Sequence, residues 1–383
     1  MTAGAPTDPI PLLVPDVPDP LSLLPYLQRM HSARYYSNGG PLVRELEDRF
    51  AERFGLGAEQ VTTVASATLG LELVLQSLGL RAGSRVLMPT FTFAATATAV
   101  LRAGHVPVLC DVDADSWLLT PDIARAAHAT DAVDAVLPVA ALGMPHDMTA
   151  WQRFEDETGL PVVIDAAAGF GSQWLAGASG TLVFSLHATK SLPAGEGGFV
   201  VSSRPGLAAR VRQLANFGIN LDPASHLPVG ALAAVGTNAK MSELHAAVAL
   251  ASLACWEQGA QVRRALQREM QDALARAADG RIAWQMAGPA GAIAAPTLLC
   301  ARMPDAACRG RLEALCAAQG IATRRWYQPL MHRMEALLPF CTLLPTPQAD
   351  ALAETLIGLP FFPKMDPAQM QRLTRVMEQA MRS

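Results

Sequence analysis

The sequence predicts an α/β fold: a mostly parallel, mixed sheet sandwiched by helices, with a smaller C-terminal α+β domain. Three observations predict it. From Val61 to Ser202 short β-branched runs alternate with helical stretches, the rhythm of strands joined by crossover helices. Val162-Val-Ile-Asp165 is apolar on both faces, as a central strand covered on each side must be. Beyond residue 277 the rhythm changes to isolated strand-like and helical segments that suit a compact α+β unit.

The elements follow in order. Residues 1–34 form an arm over the body, rich in proline and leucine and too broken for a long helix, so regular structure begins near Pro41. Pro41 is a good first helical residue; Leu42, Val43, Leu46, Phe50 and Phe54 keep helical spacing, and Gly55 is the stop. Then come a strand at Val61–Ala65, a helix to Gly79, a strand at Arg85–Pro89, a helix to Gly104 and a strand at Val106–Val112. Ala135–Val139 is a further strand, Met148–Thr158 a helix and Pro161–Asp165 the buried strand. Thr181–Ser185 and Gly198–Ser202 form a hairpin-like pair that makes the sheet mixed. Helices follow at Leu207–Asn216 and, as one long linking helix, from Ser242 to Arg276. A strand at Ala295–Ala301 and helices at Asp305–Gln319 and Pro367–Met381 complete the small domain. The predicted division is 1–34 arm, 35–250 large domain, and 251–383 linking helix and small domain.

With 383 residues the chain has room for a large core and an enzyme site. A charged fraction of 17%, an apolar fraction of 51% and a net charge of −4, without a basic tract, argue against a nucleic-acid partner. The N-terminus lacks the basic-then-apolar pattern of a secretory signal, and no apolar run is long enough to span a bilayer. A cytoplasmic protein is expected, with no membrane partner. Six cysteines without a CxxC pair argue against a zinc ribbon or a disulfide framework.

Lysine carries the clue to chemistry. Only Lys190, Lys240 and Lys364 occur among many arginines, and a guanidinium can neither lose its proton nor form an imine. Lys190 lies in Phe184-Ser-Leu-His-Ala-Thr-Lys-Ser-Leu-Pro-Ala-Gly-Glu-Gly-Gly198, where it reads as an imine-forming amine; Lys364 reads as a surface residue. Ligand crevices of open α/β sheets lie beyond the carboxyl ends of the strands, where several candidates fall. Asp165 ends an apolar strand, where it either meets a cation or caps the following turn. Ser66-Ala-Thr68 opens a helix and offers hydroxyls and free amides to a phosphate, or is a plain N-cap. Ser185 has the same double reading, and Phe93 can stack on a planar ring or belong to the core. A lysine, a carboxylate, a helix start and an aromatic face together are what pyridoxal phosphate requires.

The sequence resembles the DegT/DnrJ/EryC1/StrS sugar aminotransferases, of the fold-type I pyridoxal phosphate enzymes. Matching stretches are Asn38-Gly-Gly-Pro41, Ser66–Leu71, Pro89–Thr96, Pro107–Asp113, Ile164-Asp-Ala-Ala167, Phe184–Gly198 and Asn238–Ala247, in the family's order and from about Tyr36 to the C-terminus. The resemblance implies that Lys190 carries the cofactor covalently, Asp165 binds its pyridine nitrogen, and Ala67, Thr68 and Ser185 hold its phosphate. It places Phe93 on the ring, and it has Asn238 and Lys240 reach the phosphate of a neighbouring subunit, so a homodimer with shared sites follows. The implied reaction moves an amino group from an amino acid, L-glutamate, to a nucleotide-linked keto sugar. The lysine motif resembles the branch acting at C4 of a nucleotide-linked 4-keto-6-deoxyhexose more than the cyclitol branch. Ala168 departs from the family, which has His or Gln there. A cyclitol or other small ketone as acceptor, and a non-catalytic cofactor-binding relative, remain as alternatives. His187 reads as a structural hydrogen-bonding residue, and Arg324-Arg-Trp-Tyr327 as either a diphosphate contact or a solvated basic strand.

Overall fold

A computed structural model describes residues 8–382. The first helix, α1 (Pro20–Ala33), corrects the expectation of a broken arm with no regular structure before Pro41. Pro20 stands at N1, where its missing N–H costs nothing, and Asp19 caps the helix by accepting the amides of Leu21 and Ser22. Pro25 interrupts the ladder from within. Packing sustains the helix nonetheless: Leu23, Tyr26, Leu27 and Met30 rest on the main core. Upstream, residues 10–12 do lie over the body, with Ile10 fully buried.

The chain continues through α2 (Pro41–Phe54), β1 (Val61–Val64), α3 (Ala67–Ser77), β2 (Arg85–Pro89), α4 (Ala94–Arg102), β3 (Val106–Cys110), α5 (Pro121–Thr130), β4 (Ala135–Val136), α6 (Met148–Thr158) and β5 (Val163–Asp165). β6 (Thr181–Ser185), β7 (Gly198–Ser202), α7 (Leu207–Ala215) and the long α8 (Glu243–Ala277) follow, then β8 (Leu299–Arg302), α9 (Ala306–Ala318), β9 (Thr342–Leu343), α10 (Pro347–Thr355), β10 (Leu356–Leu359) and α11 (Pro367–Arg382).

Two four-stranded ladders, β1-β7-β6-β5 and β4-β2-β3-β9, meet through parallel bridges Val136–Val162 and Val139–Asp165. The resulting sheet is parallel except at β7, which runs antiparallel to both β1 and β6. Alternate residues feed two cores. Leu182 and Phe184 of β6 face one with Phe199 and Val201 of β7, while Val183 and Val200 face the other. Phe199 stacks on Phe50 at 3.9 Å and on Phe184 at 4.7 Å between ring centroids, so α2 is clamped to the β6/β7 pair. A separate core gathers around the antiparallel β8/β10 pair with α9, α11 and the far end of α8.

Candidate active site

Asp165 closes β5 and is 4% exposed. Its backbone is fixed from both sides: its amide donates to Pro138, its carbonyl accepts from Ala140, and the next amide, of Ala166, donates to Val183. The carboxylate is fixed as well. Thr96 Oγ1 donates to Oδ2 at 2.8 Å and the Ala167 amide donates to Oδ1 at 3.1 Å. Because the single proton of Thr96 goes to Asp165, the 2.8 Å contact between Thr92 and Thr96 has Thr92 as donor. Asp165 thus takes the amide of the following turn, and a cation acts on it without a direct ion pair.

That cation is Lys190, half-buried in the loop between β6 and β7. Burial pulls the Lys190 amine below the usual lysine range, and the Asp165 charge offsets part of this. Burial likewise raises the Asp165 carboxyl, opposed by the Thr96 hydroxyl, the Ala167 amide and the Lys190 charge.

The end of β6 and the start of α3 approach across Gly198. A Cβ on Gly198 would stand 2.7 Å from the Ala67 amide nitrogen and 2.8 Å from the Phe184 carbonyl oxygen, so only glycine fits. Gly198 pairs with Ser185 on one side and Val64 on the other. Ser185 thus lies two strands from the α3 N-terminus, where Ser66 caps the helix through the Leu69 amide. Helix geometry leaves the first-turn amides, including those of Ala67 and Thr68, without intrahelical partners. Phe93, at the N-cap of α4, is 57% exposed and so is no core aromatic.

These parts fit pyridoxal phosphate in the chemistry of their donor set, and the comparisons with known proteins bear on the cofactor. The DegT/DnrJ/EryC1/StrS aminotransferase family model matches residues 22–378. The chain belongs to that family. As a DegT/DnrJ/EryC1/StrS aminotransferase it has the fold-type I architecture, and pyridoxal phosphate is the cofactor of its class. Among solved structures, DesI, determined in the presence of its TDP-sugar product, is 32% identical with a TM-score of 0.84; the match covers 99% of this chain and 95% of DesI. DesV from S. venezuelae is 28% identical, covering 98% and 100%, with a TM-score of 0.83. NtdA from Bacillus subtilis, solved with bound PMP, covers 100% and 87% with a TM-score of 0.85; at 21% identity it shows the fold alone.

In this aminotransferase Asn238 and Lys240 flank Ala239, whose carbonyl accepts the Ala65 amide at 2.7 Å. Asn238 is exposed and bridges to Asn216; Lys240 donates to Asn238 Oδ1 at 2.6 Å and rests 4.5 Å over the Phe217 ring. Lys240 lines a cleft of about 1090 Å³ with Asn38, Arg44, Arg210 and Asn216. His187 is tied within its own loop, its Nδ1 3.0 Å from the Thr189 hydroxyl. Arg324 sits 4.1 Å over Trp326, and Arg325 makes a two-pronged bond to Glu313.

Sequence reasoning missed four contributors. Thr92 and Thr96 lie within Pro89–Thr96, but hydroxyls among alanines signal nothing until Asp165 is placed beside them. His332 Nδ1 meets the Thr90 hydroxyl at 2.7 Å and its Nε2 lies 3.3 Å from Asp350, pinning the end of β2. Glu243, fully buried, accepts the amides of Leu42 and Val43 at 2.8 and 2.9 Å and so caps α2. Among the described residues there is no cluster suited to a metal ion, and no helix long and apolar enough to cross a membrane.

Proposed function

We propose that this aminotransferase moves an amino group from an amino acid, L-glutamate, to a nucleotide-linked keto sugar. Its place would be the cytoplasmic synthesis of an amino sugar for a surface polysaccharide or a natural product. The observation that carries the site assignment is buried Asp165, held by Thr96 and Ala167 at the end of β5, beside β6, whose end leads into the Lys190 loop. The substrate class is supported by DesI, 32% identical and solved with a TDP-sugar product.

Pyridoxal phosphate, when bound, supplies the electron sink that lets an amino acid lose its α-proton. Lys190 is the amine that holds the cofactor. When not bonded to the cofactor, Lys190 would be a base whose lowered basicity leaves it neutral more readily than an ordinary lysine, suited to carry that α-proton. Ionised Asp165, oriented by Thr96 and Ala167, holds a proton at the pyridine nitrogen. The amides of Ala67 and Thr68 and the hydroxyl of Ser185 would hold the phosphate, and Phe93 would stack on the ring.

We further propose a homodimer in which Asn238 and Lys240 serve the phosphate seat of the partner. The exposed apolar Phe217, Leu221, Val229, Leu232 and Val235 of the same segment support it. Residues 35–250 would be the cofactor-holding domain and 251–382 the linking helix and small domain, with 8–34 as arm; residues 1–7 and 383 of the expected division lie outside the described residues.

The test is the visible spectrum of the purified protein with pyridoxal phosphate, before and after excess L-glutamate. A band that glutamate bleaches supports the donor half-reaction, and turnover with nucleotide-linked keto sugars then tests the acceptor. Failure to form the band removes Lys190 from its role.

A further inference from the structure

Residues 10–16 cross from the β8/β10 unit to the loop that carries Lys190. At one end this strap is stitched to the C-terminal core: the Ile10 amide donates to Gly320, Ala322 donates to Ile10, and Phe361 donates to Leu12, each at 2.9 Å. At the other end Leu13, Val14, Pro15 and Asp16 close a cavity of only about 20 Å³ against Lys190 and Arg263.

Arg263 of α8 stands where strap and loop meet, and it is 6% exposed. Its Nη2 donates to Asp16 at 2.7 Å and its Nη1 to the carbonyl of Ser191 at 3.3 Å, one residue beyond Lys190. α8 holds the same turn again through Ser252, whose hydroxyl donates to the Pro193 carbonyl at 2.6 Å. Asp16 is the carboxylate that answers the buried guanidinium, and a buried cation that loses its partner reorganises to find water. The hold of Arg263 on Ser191 therefore depends on Asp16, and the place of Asp16 depends on a strap fastened to the C-terminal unit.

We infer that Arg263 is a positioning residue for Lys190, latched by Asp16, so that docking of the C-terminal unit fixes the backbone from which the amine projects. This rests on Lys190 being the cofactor-holding amine. Asp16 keeps 40% of its side chain exposed, so Asp16→Asn removes the charge without emptying a core position.

The experiment loads wild type, Asp16→Asn, Arg263→Lys and Arg263→Met with pyridoxal phosphate and follows amide hydrogen exchange over residues 186–194. The Ala188, Lys190 and Ala194 amides are each hydrogen-bonded within that loop. The rate at which the visible band forms on cofactor addition is the second readout. Asp16→Asn and Arg263→Met should speed loop exchange roughly tenfold or more, the scale of losing a charge-assisted hydrogen bond. They should also slow band formation while β2 amides keep wild-type protection. Arg263→Lys should fall between, since an ammonium lacks the two-pronged reach. If Arg263→Met does not fold, Asp16→Asn decides. Unchanged loop exchange and band formation in Asp16→Asn would overturn the inference. Borohydride fixation of the cofactor, located by peptide mass, tests Lys190 separately: if wild type is not fixed there, the role of Lys190 fails, while loop exchange still decides whether Arg263 and Asp16 hold the turn.

Discussion

Thr96 gives its only hydroxyl proton to Asp165, across 2.8 Å and out of contact with solvent. That bond favours the ionised carboxylate against the burial that raises its pKa. Removing it in Thr96→Val should move the Asp165 pKa further up, because the charged form loses a hydrogen bond. Ionised Asp165 would then be lost at higher pH, so the acid limb of the kcat/KM profile should shift upward. Thr96→Ser should restore it. An unmoved acid limb in Thr96→Val would separate Thr96 from the chemistry.

Lys190→Ala should abolish turnover and borohydride-stable attachment of the cofactor while leaving the fold intact. Substantial residual transamination, measured as glutamate-dependent product formation, would contradict the assignment.

Asp165→Asn should part activity from stability. A buried carboxyl whose pKa is raised contributes stability below its unfolded pKa and loses it as pH rises through the folded value, so ionised Asp165 costs stability at neutral pH. The cofactor-free Asp165→Asn protein should therefore melt no lower than wild type near neutral pH, although its turnover collapses. A clear fall in Tm in a pH series of thermal scans would show that pairing with Lys190 outweighs burial.

Gly198→Ala should damage the phosphate seat from beneath. The added methyl meets the Ala67 amide and the Phe184 carbonyl, both backbone, so strand and helix must separate at a cost of about 1–3 kcal/mol. Thermal denaturation should show the loss, and a cofactor titration should show weaker binding than in a surface glycine control such as Gly259→Ala, whose Cβ position is open.

A mixed dimer tests the shared site. Co-expressed Lys190→Ala and Lys240→Ala chains, each inactive alone, should form hybrids in which one site keeps both lysines, so activity returns. Hybrids without activity would place Lys190 and Lys240 in service of the same subunit's site, or remove Lys240 from it.

Much of this architecture was legible in the chain. The bounds of β2, β6, β7 and α6 coincide with the expected ones, because alternating or continuous apolar runs end there at turn residues. α1 was hidden by its prolines, since no local rule weighs the packing of Tyr26, Leu27 and Met30 against a broken ladder. α5, α10 and β10 went unassigned: their short alternations of alanine with polar residues, or a single glycine in four residues, carry little periodicity. At the site, Lys190 and Asp165 stood out because an amine and a carboxylate are conspicuous in apolar surroundings. Arg263 and Glu243 did not, since charges on a long helix look solvated until burial is known.

Glu243 sets an order of events. The helix that begins at Pro41 is finished at its N-terminus by a carboxylate 201 residues beyond Leu42. Closing so long a loop is slow, and its entropy must be met before the contact stabilises anything. On the ribosome the first half of the chain therefore emerges with this helix uncapped, and the surface around Asn38 and Lys240 matures only after residue 243 has been made. Association through that surface would follow folding of the cofactor-holding half, which keeps its exposed apolar segment from pairing with another unfinished chain.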